Sequence, residues 1–496
     1  MAVGGRLGSL QIDAVEIRGC GEIGLAAEAD PEAIRVFGSA AVVTAEELAG
    51  GWAPEPGVEW HRLPVKEGQA PDERFEDLWT YSGLRLRGHL ARGRKVVICG
   101  PAPVGMVATK LLVEFGEDAA EAVRRIRRAW PRAIQTGAQE AYIRACSEVV
   151  SARADRPFEE RALACLVGGA VGDGLGYAVE FERLHRIRER FGEDGIQAPV
   201  LRGGKLVVSD DTQMTLFSLE GMIRGKAAGA EFGEPEMLAS IRRAYLEWYE
   251  TQVGTKPAQE AEGWLVRQPE MWTERAPGNT CLSALGVGGG GTMERPINHS
   301  KGCGGVMRAA PFGLIGESEG APTAFEMAAE AAALTHGHPS GYLSAGVVAA
   351  MVHFVAGGVS WIGTGEPGGE VIARSSGILR DYPGHEETLG AIKKAVTRAS
   401  ESPRHGGVPE QVETLGGGWT GDEALAIALF AFLRARSFTE AVCAGANHSG
   451  DSDSTAAIAG QLWGATHGLE EIPHDWVMAL DVLRPLLRLA RRMFSH

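Results

Sequence analysis

Two short acidic segments, far apart in the sequence, contain side chains of the kind that bind metal ions. They read VVSDDTQMTL and NHSGDSDSTAAIAGQLWG, and each places two aspartates and a serine ahead of an apolar stretch. These six residues are Ser209, Asp210 and Asp211 in the first segment and Asp451, Asp453 and Ser454 in the second. Capping is an alternative explanation for either segment alone, because hydroxyl and acidic side chains stabilise the first turn of a helix.

The second segment also has to be compared with a calcium-binding loop of the EF-hand type. Such a loop requires a glycine at its sixth position and a bidentate glutamate at its twelfth. This sequence has Ala456 and Leu462 at those positions. An EF-hand is therefore excluded.

Glu180 supplies a fifth carboxylate, and the sequence GDGLGYAVEF places it after a predicted glycine-rich bend. A surface glutamate at a helix end is the alternative interpretation. If all five carboxylates lie in one cleft, they repel and raise one another's pKa. Two divalent cations would offset that repulsion, and ligands that are all oxygen favour Mg²⁺ or Mn²⁺. Such a pair positions a substrate and activates a water molecule, so the sequence predicts a hydrolytic centre.

The elements that carry these segments differ between the two halves of the chain. Residues 1 to about 150 alternate apolar runs with helical stretches, which is typical of an α/β domain. A buried strand is predicted over 94–100, a helix over 106–114, and an amphipathic helix over 116–131 that ends at a proline.

After a polar joint near 152–160, long stretches rich in Ala, Leu and Gly show helical spacing, so the second half is predicted to be nearly all helix. We predict domains at 1–152 and 156–496. Three stretches are predicted to be loops: 286–292, 364–369 and 400–418.

Composition limits the class of protein. The 496 residues carry a net charge of −15, which argues against a nucleic-acid-binding or membrane-surface protein. The seven cysteines are scattered without a CxxC pair, which favours a reducing compartment over a disulfide framework. No secretory signal and no uninterrupted apolar run of membrane-spanning length is visible. We expect a cytoplasmic protein.

The second half resembles the ADP-ribosylglycohydrolase family, which includes the dinitrogenase reductase-activating glycohydrolase and the eukaryotic ADP-ribosylhydrolases. Eight motifs occur in the family's order, over about residues 158–490: GDGLGYAVEF, SDDTQMTL, RAPGNTCLSAL, GCGGVMRAAPFGL, ALTHGHPSGYLSAG, LGGGWTGDEALAIAL, GDSDSTAAIAG and IPHDW. The resemblance implies an orthogonal all-helical fold with two Mg²⁺ or Mn²⁺ ions.

It also implies roles for particular residues. The metal ligands would be Ser209, Asp210, Asp211, Asp451, Asp453 and Ser454, and the catalytic carboxylates Asp211, Asp453 and Glu180. ADP-ribose would contact Gly302, Gly304, Gly305, Met307, Arg308 and His336. Ser209 and Ser454 stand where the family usually has threonine, and Cys303 stands where it usually has asparagine. For His336 the alternative is a histidine satisfied between packed helices.

The first half, over about residues 30–146, resembles the dual-specificity branch of the protein tyrosine phosphatases. That family requires a His-Cys pair followed, after five residues, by a phosphate-clamping arginine. Here Ile98 precedes Cys99 and the sixth following position is Gly105. The loop is about two residues short, and two prolines remove backbone donors. With Glu67 near the general-acid position but no competent nucleophile, we predict an inactive domain that serves docking or target selection.

The leading hypothesis is an enzyme that removes ADP-ribose from a protein side chain by cleaving an N- or O-glycosidic bond. One alternative is the same chemistry on a small ADP-ribosylated molecule or a nucleic-acid end. Others are a bifunctional phosphatase–glycohydrolase and a non-catalytic protein of the kind found in the lens. The presence of all four aspartates argues against the last alternative.

Overall fold

The structure is a computed structural model, and it describes residues 13–17, 19–26, 31–45, 55–100, 105–152, 157–254, 261–315, 319–361, 369–401 and 408–494. The chain divides into two units, Met1–Arg156 and Pro157–His496. The first is a small α/β unit and the second is helical, as the sequence predicts.

The first unit is built on a five-stranded sheet of order β1-β2-β5-β3-β4. Its strands are β1 (Asp13–Glu16), β2 (Glu22–Ala26), β3 (Ser39–Thr44), β4 (Glu59–Arg62) and β5 (Lys95–Cys99). Only the β1–β2 pairing is antiparallel among these strands. The helices are α1 (Pro31–Phe37), α2 (Glu73–Ala91), α3 (Gly105–Glu114), α4 (Ala119–Ala129) and α5 (Gly137–Ala152).

The side chains of β5 contribute to apolar cores on both faces of the sheet, because successive side chains of a strand point to opposite sides. Val96 and Ile98 join the large cluster with residues of α2 to α5. Val97 and Cys99 join a small cluster with Ile34 of α1. The predicted strand and helices of this region are confirmed, although α4 begins later than predicted because Asp118 caps it.

The second unit contains, among the described residues, sixteen further helices and short 3₁₀ turns. The helices are α6 (Pro157–Gly176), α7 (Leu184–Phe191), α8 (Asp210–Ala227), α9 (Pro235–Val253), α10 (Asn279–Gly286), α11 (Ala310–Gly313), α12 (Gly320–Ala333), α13 (Pro339–Ala356), α14 (Gly369–Leu379), α15 (Glu386–Glu401), α16 (Val408–Glu413), α17 (Gly421–Arg434), α18 (Phe438–Ala446), α19 (Ser452–His467), α20 (His474–Ala479) and α21 (Leu483–Met493).

Two predicted local features differ from the structure. The glycine-rich stretch before Glu180 is the buried end of α6 and not a bend. The predicted loop at 400–418 contains helix α16. Of the other predicted loops, most of 364–369 lies outside the described residues.

Close packing of α6 against α19 explains why α6 contains so many glycines. Gly168, Gly172 and Gly176 recur every four residues and therefore share one face. A Cβ at Gly172 would collide with the carbonyl oxygen of Ala456, and a Cβ at Gly168 with that of Gly460. Because α6 and α19 carry the site described below, this contact fixes the distance between its two sides.

Gly172→Ala should therefore destabilise the second unit by about 1–3 kcal/mol, the usual cost of overpacking a core. Gly377→Ala in α14 is the matched control, because an added Cβ there meets nothing within 4 Å. The control should stabilise by about 0.5–1 kcal/mol, since alanine is the better helix former. Denaturant unfolding of both variants checks this, and equal effects would contradict the packing argument.

Helix α13 is the one helix among the described residues that is long and apolar enough to cross a membrane. Of its 18 residues, 89% are buried inside the structure, as in the central helix of a protein core. The criterion of an uninterrupted apolar run does not detect α13, because serine and histidine residues interrupt it.

Candidate active site

The first acidic segment forms the start of α8. Ser209 caps the helix, and its hydroxyl accepts a hydrogen bond from the amide of Asp211 at 3.2 Å. Asp210 Oδ2 accepts from the amide of Gly278 at 3.4 Å, and its own amide donates to the carbonyl of Arg275 at 3.0 Å. Both aspartates are buried, so the helix start faces the interior of the unit.

The second acidic segment forms the start of α19. Asp451 caps this helix and accepts from the amide of Ser454 at 3.3 Å, while its own amide donates to Gly417 at 2.8 Å. Asp453 Oδ1 accepts from the same Ser454 amide at 3.0 Å. The capping alternative therefore holds for both segments. Capping and metal binding are nevertheless compatible, since each carboxylate has a second oxygen.

Asp173, which the sequence argument missed, ties α6 to the start of α8. Its Oδ1 accepts from the amide of Ser209 at 2.9 Å and its Oδ2 from the amide of Thr212 at 3.0 Å. The Thr212 hydroxyl donates to the same Oδ2. The available signal was an ionisable residue within an apolar helical stretch, where a buried charge needs partners.

Electrostatics place the carboxylates of both segments together. Burial raises the pKa of Asp173 to about 7 and that of Glu180 to about 10, and in each case Asp453 is the next largest cause. Burial and then Asp453 also raise the pKa values of Asp210, Asp211 and Asp451 well above the usual range. Geometry agrees, because Asp173 of α6 bonds the amide of Ser209 at 2.9 Å and a Cβ at Gly176 of α6 would lie 2.6 Å from the Cα of Asp453.

Two carboxylate oxygens in this cluster lack a hydrogen-bond partner among the described residues. They are Asp211 Oδ2 and Glu180 Oε2, and both are buried. An unsatisfied buried acceptor is costly, and a bound cation satisfies it. The donor set is dominated by oxygen, which fits hard divalent cations such as Mg²⁺ or Mn²⁺.

The glycine-rich segment 302–308 lies beside the carboxylates. Gly302 bridges to Thr420, and the amide of Cys303 donates to the carbonyl of Trp419 at 3.2 Å. Cys303 Sγ donates to Asp451 Oδ2 at 2.6 Å. The carbonyl of Cys303 accepts hydrogen bonds from the amides of Val306 and Met307. A diphosphate would therefore have to use the remaining amides of the turn, such as those of Gly304 and Gly305.

His336 packs against this turn, since a Cβ at Gly304 would lie 3.0 Å from its Cε1 atom. Its Nδ1 is 2.8 Å from the hydroxyl of Thr335, which accepts from Arg308 at 2.8 Å. The hydroxyl hydrogen has two acceptors, Nδ1 at 2.8 Å and the carbonyl of Ala332 at 3.3 Å. Because Nδ1 is the nearer of the two, we assign the proton of the neutral ring to Nε2. Burial and then Arg308 lower the pKa of His336 to about 3, which keeps the ring neutral.

Arg308 supports His336 through its hydrogen bond to Thr335. Its guanidinium is buried, 4.3 Å from the ring centre of Tyr245, and also donates to the carbonyl of Ala331 at 3.3 Å. Both terminal nitrogens of this guanidinium have partners inside the core, whereas its Nε has none among the described residues. The expected contact between Arg308 and ADP-ribose stays a prediction, and these contacts add a positioning role through Thr335 and His336.

An exposed aromatic pair adjoins the cluster and was also missed from the sequence. Phe181 follows Glu180 directly and stacks on Trp419, with ring centroids 5.6 Å apart and an interplanar angle of 18°. Phe181 has φ 66°, a strained value for a residue other than glycine. The strained turn presents an aromatic face to solvent at the side of the site where Glu180 lies.

Comparison with known proteins decides the family. The sequence profile of the family described as ADP-ribosylglycohydrolase matches residues 154–496. The chain belongs to this family. The resemblance inferred from the eight motifs is thus confirmed for the second unit, as is its all-helical fold.

Similar proteins include two curated relatives and one solved structure. The ADP-ribosyl-(dinitrogen reductase) glycohydrolase of Rhodospirillum rubrum is 26% identical over 65% of this chain and 91% of its own. An ADP-ribosylarginine hydrolase of Pseudomonas putida is 24% identical over 68% of this chain and 78% of its own. A structure titled ADP-ribosylglycohydrolase-related protein complex is 24% identical, covers 68% of this chain and 99% of its own, and has a TM-score of 0.46.

The phosphatase-like interpretation of the first unit of this ADP-ribosylglycohydrolase stays a prediction, but its local geometry is informative. Cys99 is fully buried at the end of β5, and burial raises the pKa of its thiol to about 12. A Cβ at Gly105 would collide with the side chain of Ala133, so the position leaves no room for a longer side chain. Residues 101–104, with both loop prolines, lie outside the described residues.

Cys99→Ser should accordingly leave any hydrolysis of a generic aryl phosphate unchanged. A protonated, buried thiol is a poor nucleophile, and no arginine follows it to hold the phosphoryl group. The measurement is the phosphatase rate of the wild-type chain and of the variant, at equal concentration. A rate that disappears with Cys99 would show that the first unit is a working phosphatase.

Proposed function

We propose that the second unit hydrolyses the N- or O-glycosidic bond that joins ADP-ribose to a protein side chain, with two Mg²⁺ or Mn²⁺ ions. Family membership supports hydrolysis of an ADP-ribose linkage. The names of the two relatives support a protein substrate, and one of them an arginine linkage. The observation that carries the metal dependence is the buried carboxylate cluster with its two unsatisfied oxygens.

The six predicted ligands would hold the cations from two helix starts. Ser209, Asp210 and Asp211 lie at the start of α8, and Asp451, Asp453 and Ser454 at the start of α19. When bound, the cations supply positive charge that polarises water and binds substrate hydroxyls. They also offset most of the negative charge of a site that would otherwise repel an anionic diphosphate.

The reaction requires stabilisation of positive charge on the ribose and a positioned water molecule, because the glycosidic bond breaks through an oxocarbenium-like state. Asp211 and Glu180 have the unsatisfied oxygens, so we assign them to orienting the water. Asp453 raises the pKa of each of the other carboxyl groups of the cluster, so we assign it to the catalytic centre. Those groups are Asp173, Glu180, Asp210, Asp211 and Asp451.

Neutral residues would hold the rest of the substrate. The Nε2–H group of His336 faces the turn at Gly304 and can donate to a ribose or phosphate oxygen. The amides of Gly304 and Gly305 are placed for the diphosphate, as backbone donors of glycine-rich turns often are. Arg308 keeps His336 in position through Thr335.

A substrate panel tests this proposal. Proteins ADP-ribosylated on arginine or on serine, ADP-ribosylated nucleic-acid ends and small ADP-ribosylated molecules are incubated with the full chain and Mg²⁺ or Mn²⁺. Free ADP-ribose is quantified by mass spectrometry, and we expect the fastest release from arginine-linked protein. Release only from nucleic acid or small molecules would move the proposal to the alternative substrate class. Binding of ADP-ribose without release from any substrate would support a non-catalytic protein.

A further inference from the structure

Cys303 places a sulfur atom inside a cluster of oxygen ligands. Its Sγ atom is 2.6 Å from Asp451 Oδ2, one of the residues assigned to the second cation-binding segment.

The backbone holds this thiol in place. The amide of Cys303 donates to Trp419, and its carbonyl accepts from Val306 and Met307. Asp451 is fixed as well, through its amide bond to Gly417 at 2.8 Å. Sulfur and oxygen therefore come from two rigid segments, which is the preorganisation that a metal ligand pair requires.

A second observation points to a cation in the same carboxylate cluster. Asp211 is 3% exposed and its Oδ2 lacks a hydrogen-bond partner among the described residues. The thiol donates to Asp451 and leaves this oxygen unsatisfied. A cation between the helix starts would satisfy Asp211 and bring sulfur and carboxylate to one centre.

We propose that Cys303 is a ligand of the cation held by Asp451, and that its thiolate makes this position favour Zn²⁺-like, thiophilic divalent cations over Mg²⁺. Thiolate ligands select such ions, whereas carboxylate and hydroxyl ligands alone suit Mg²⁺ or Mn²⁺. On binding, a metal–sulfur bond forms and the thiol proton leaves to solvent, with no change of oxidation state. This inference rests on the proposed two-cation centre. It implies that the two cation positions prefer different metal ions.

Cobalt provides a spectroscopic test, because a Co²⁺–thiolate bond gives a charge-transfer absorption that carboxylate ligands do not. Co²⁺ is added to the metal-free full chain, and the near-ultraviolet band is recorded. We expect the band in the wild type and its loss in Cys303→Asn and Cys303→Ser. Cys443→Ser is the control, because Cys443 is likewise a free cysteine but is buried in α18, outside the cluster. That control should keep the band.

Affinities give a second readout. Cys303→Asn should weaken Zn²⁺ binding by at least about 10-fold, because even the loss of a residue that only supports a metal ligand costs about 10–100-fold in affinity. Mg²⁺ binding should stay within a few-fold, so the ratio of the two affinities changes. An absent band in the wild type, or a band that persists in Cys303→Asn, would overturn the inference.

The two proposals fail in different ways. If Mn²⁺ restores ADP-ribose release while no Co²⁺–thiolate band forms, the proposed hydrolase stands and the role of Cys303 is wrong. If the band forms but no cation supports release from any substrate, the thiolate ligand stands and the proposed hydrolase is wrong.

Discussion

Asp453→Asn is expected to lower the turnover of ADP-ribose release by at least about 100-fold, the scale of losing a positioned catalytic group. Asp453 is 2% exposed at the start of α19, and it raises the pKa of five neighbouring carboxyl groups. Its replacement removes a cation ligand and weakens the field that stabilises positive charge on the ribose. Steady-state kinetics with a saturating divalent cation measure the effect.

The same variant should unfold at a higher temperature than the wild type when cations are absent. Buried carboxylates repel one another, so a neutral amide at position 453 relieves the cluster. One kcal/mol corresponds to a shift of roughly 1–2 °C in a unit of this size, because the entropy of unfolding grows with the number of residues. Lower activity with higher thermal stability therefore separates lost chemistry from misfolding.

Asp475→Asn is the matched control, because Asp475 also lies in the first turn of a helix but is exposed on α20. Its turnover and unfolding temperature should match the wild type. Near-normal turnover of Asp453→Asn combined with Asp211→Asn would mean that the reaction takes place elsewhere in the protein.

Sequence reasoning found the parts of this site whose signals are local. Ser209 and the two following aspartates have the pattern of a helix cap, and the structure confirms that α8 starts there. Residue types at fixed spacing decide such features within one turn of helix. The order of the eight motifs then identified the family, although no single motif was decisive.

Contacts between distant elements were less predictable. Asp173 lies in an apolar stretch, and its partners come from the start of α8, which the sequence does not place beside it. The glycines of α6 were taken for a bend because glycine favours turns. Their function is instead close approach to α19, which only the pairing of the two helices reveals.

Arg308 has a structural role that its motif does not reveal. The resemblance to the family implies that this residue of GCGGVMR contacts ADP-ribose. The structure encloses the guanidinium between Tyr245 and Thr335, where it supports His336. Sequence order placed this arginine beside the site, but the direction of its side chain depends on the helices packed around it.

Removal of divalent cations is expected to abolish ADP-ribose release, and Mg²⁺ or Mn²⁺ should restore it. Five carboxyl groups of the site have raised pKa values because of burial and mutual repulsion, so positive charge is needed to keep them ionised together. The wild type is treated with EDTA, freed of chelator by gel filtration, and assayed before and after each cation is added back.

Thermal unfolding tests the same binding without relying on activity. A ligand that binds only the folded state stabilises it by about 2.7 kcal/mol at 100 times its dissociation constant. Added Mg²⁺ or Mn²⁺ should therefore raise the unfolding temperature of the wild type by several degrees and raise that of Asp453→Asn much less. Asp475→Asn should respond as the wild type does, because it leaves the cluster intact.

Full activity of a metal-free preparation, with no thermal shift on adding cations, would show that the carboxylates act without metal. The unsatisfied oxygens of Asp211 and Glu180 would then have to be filled by substrate hydroxyls or ordered water.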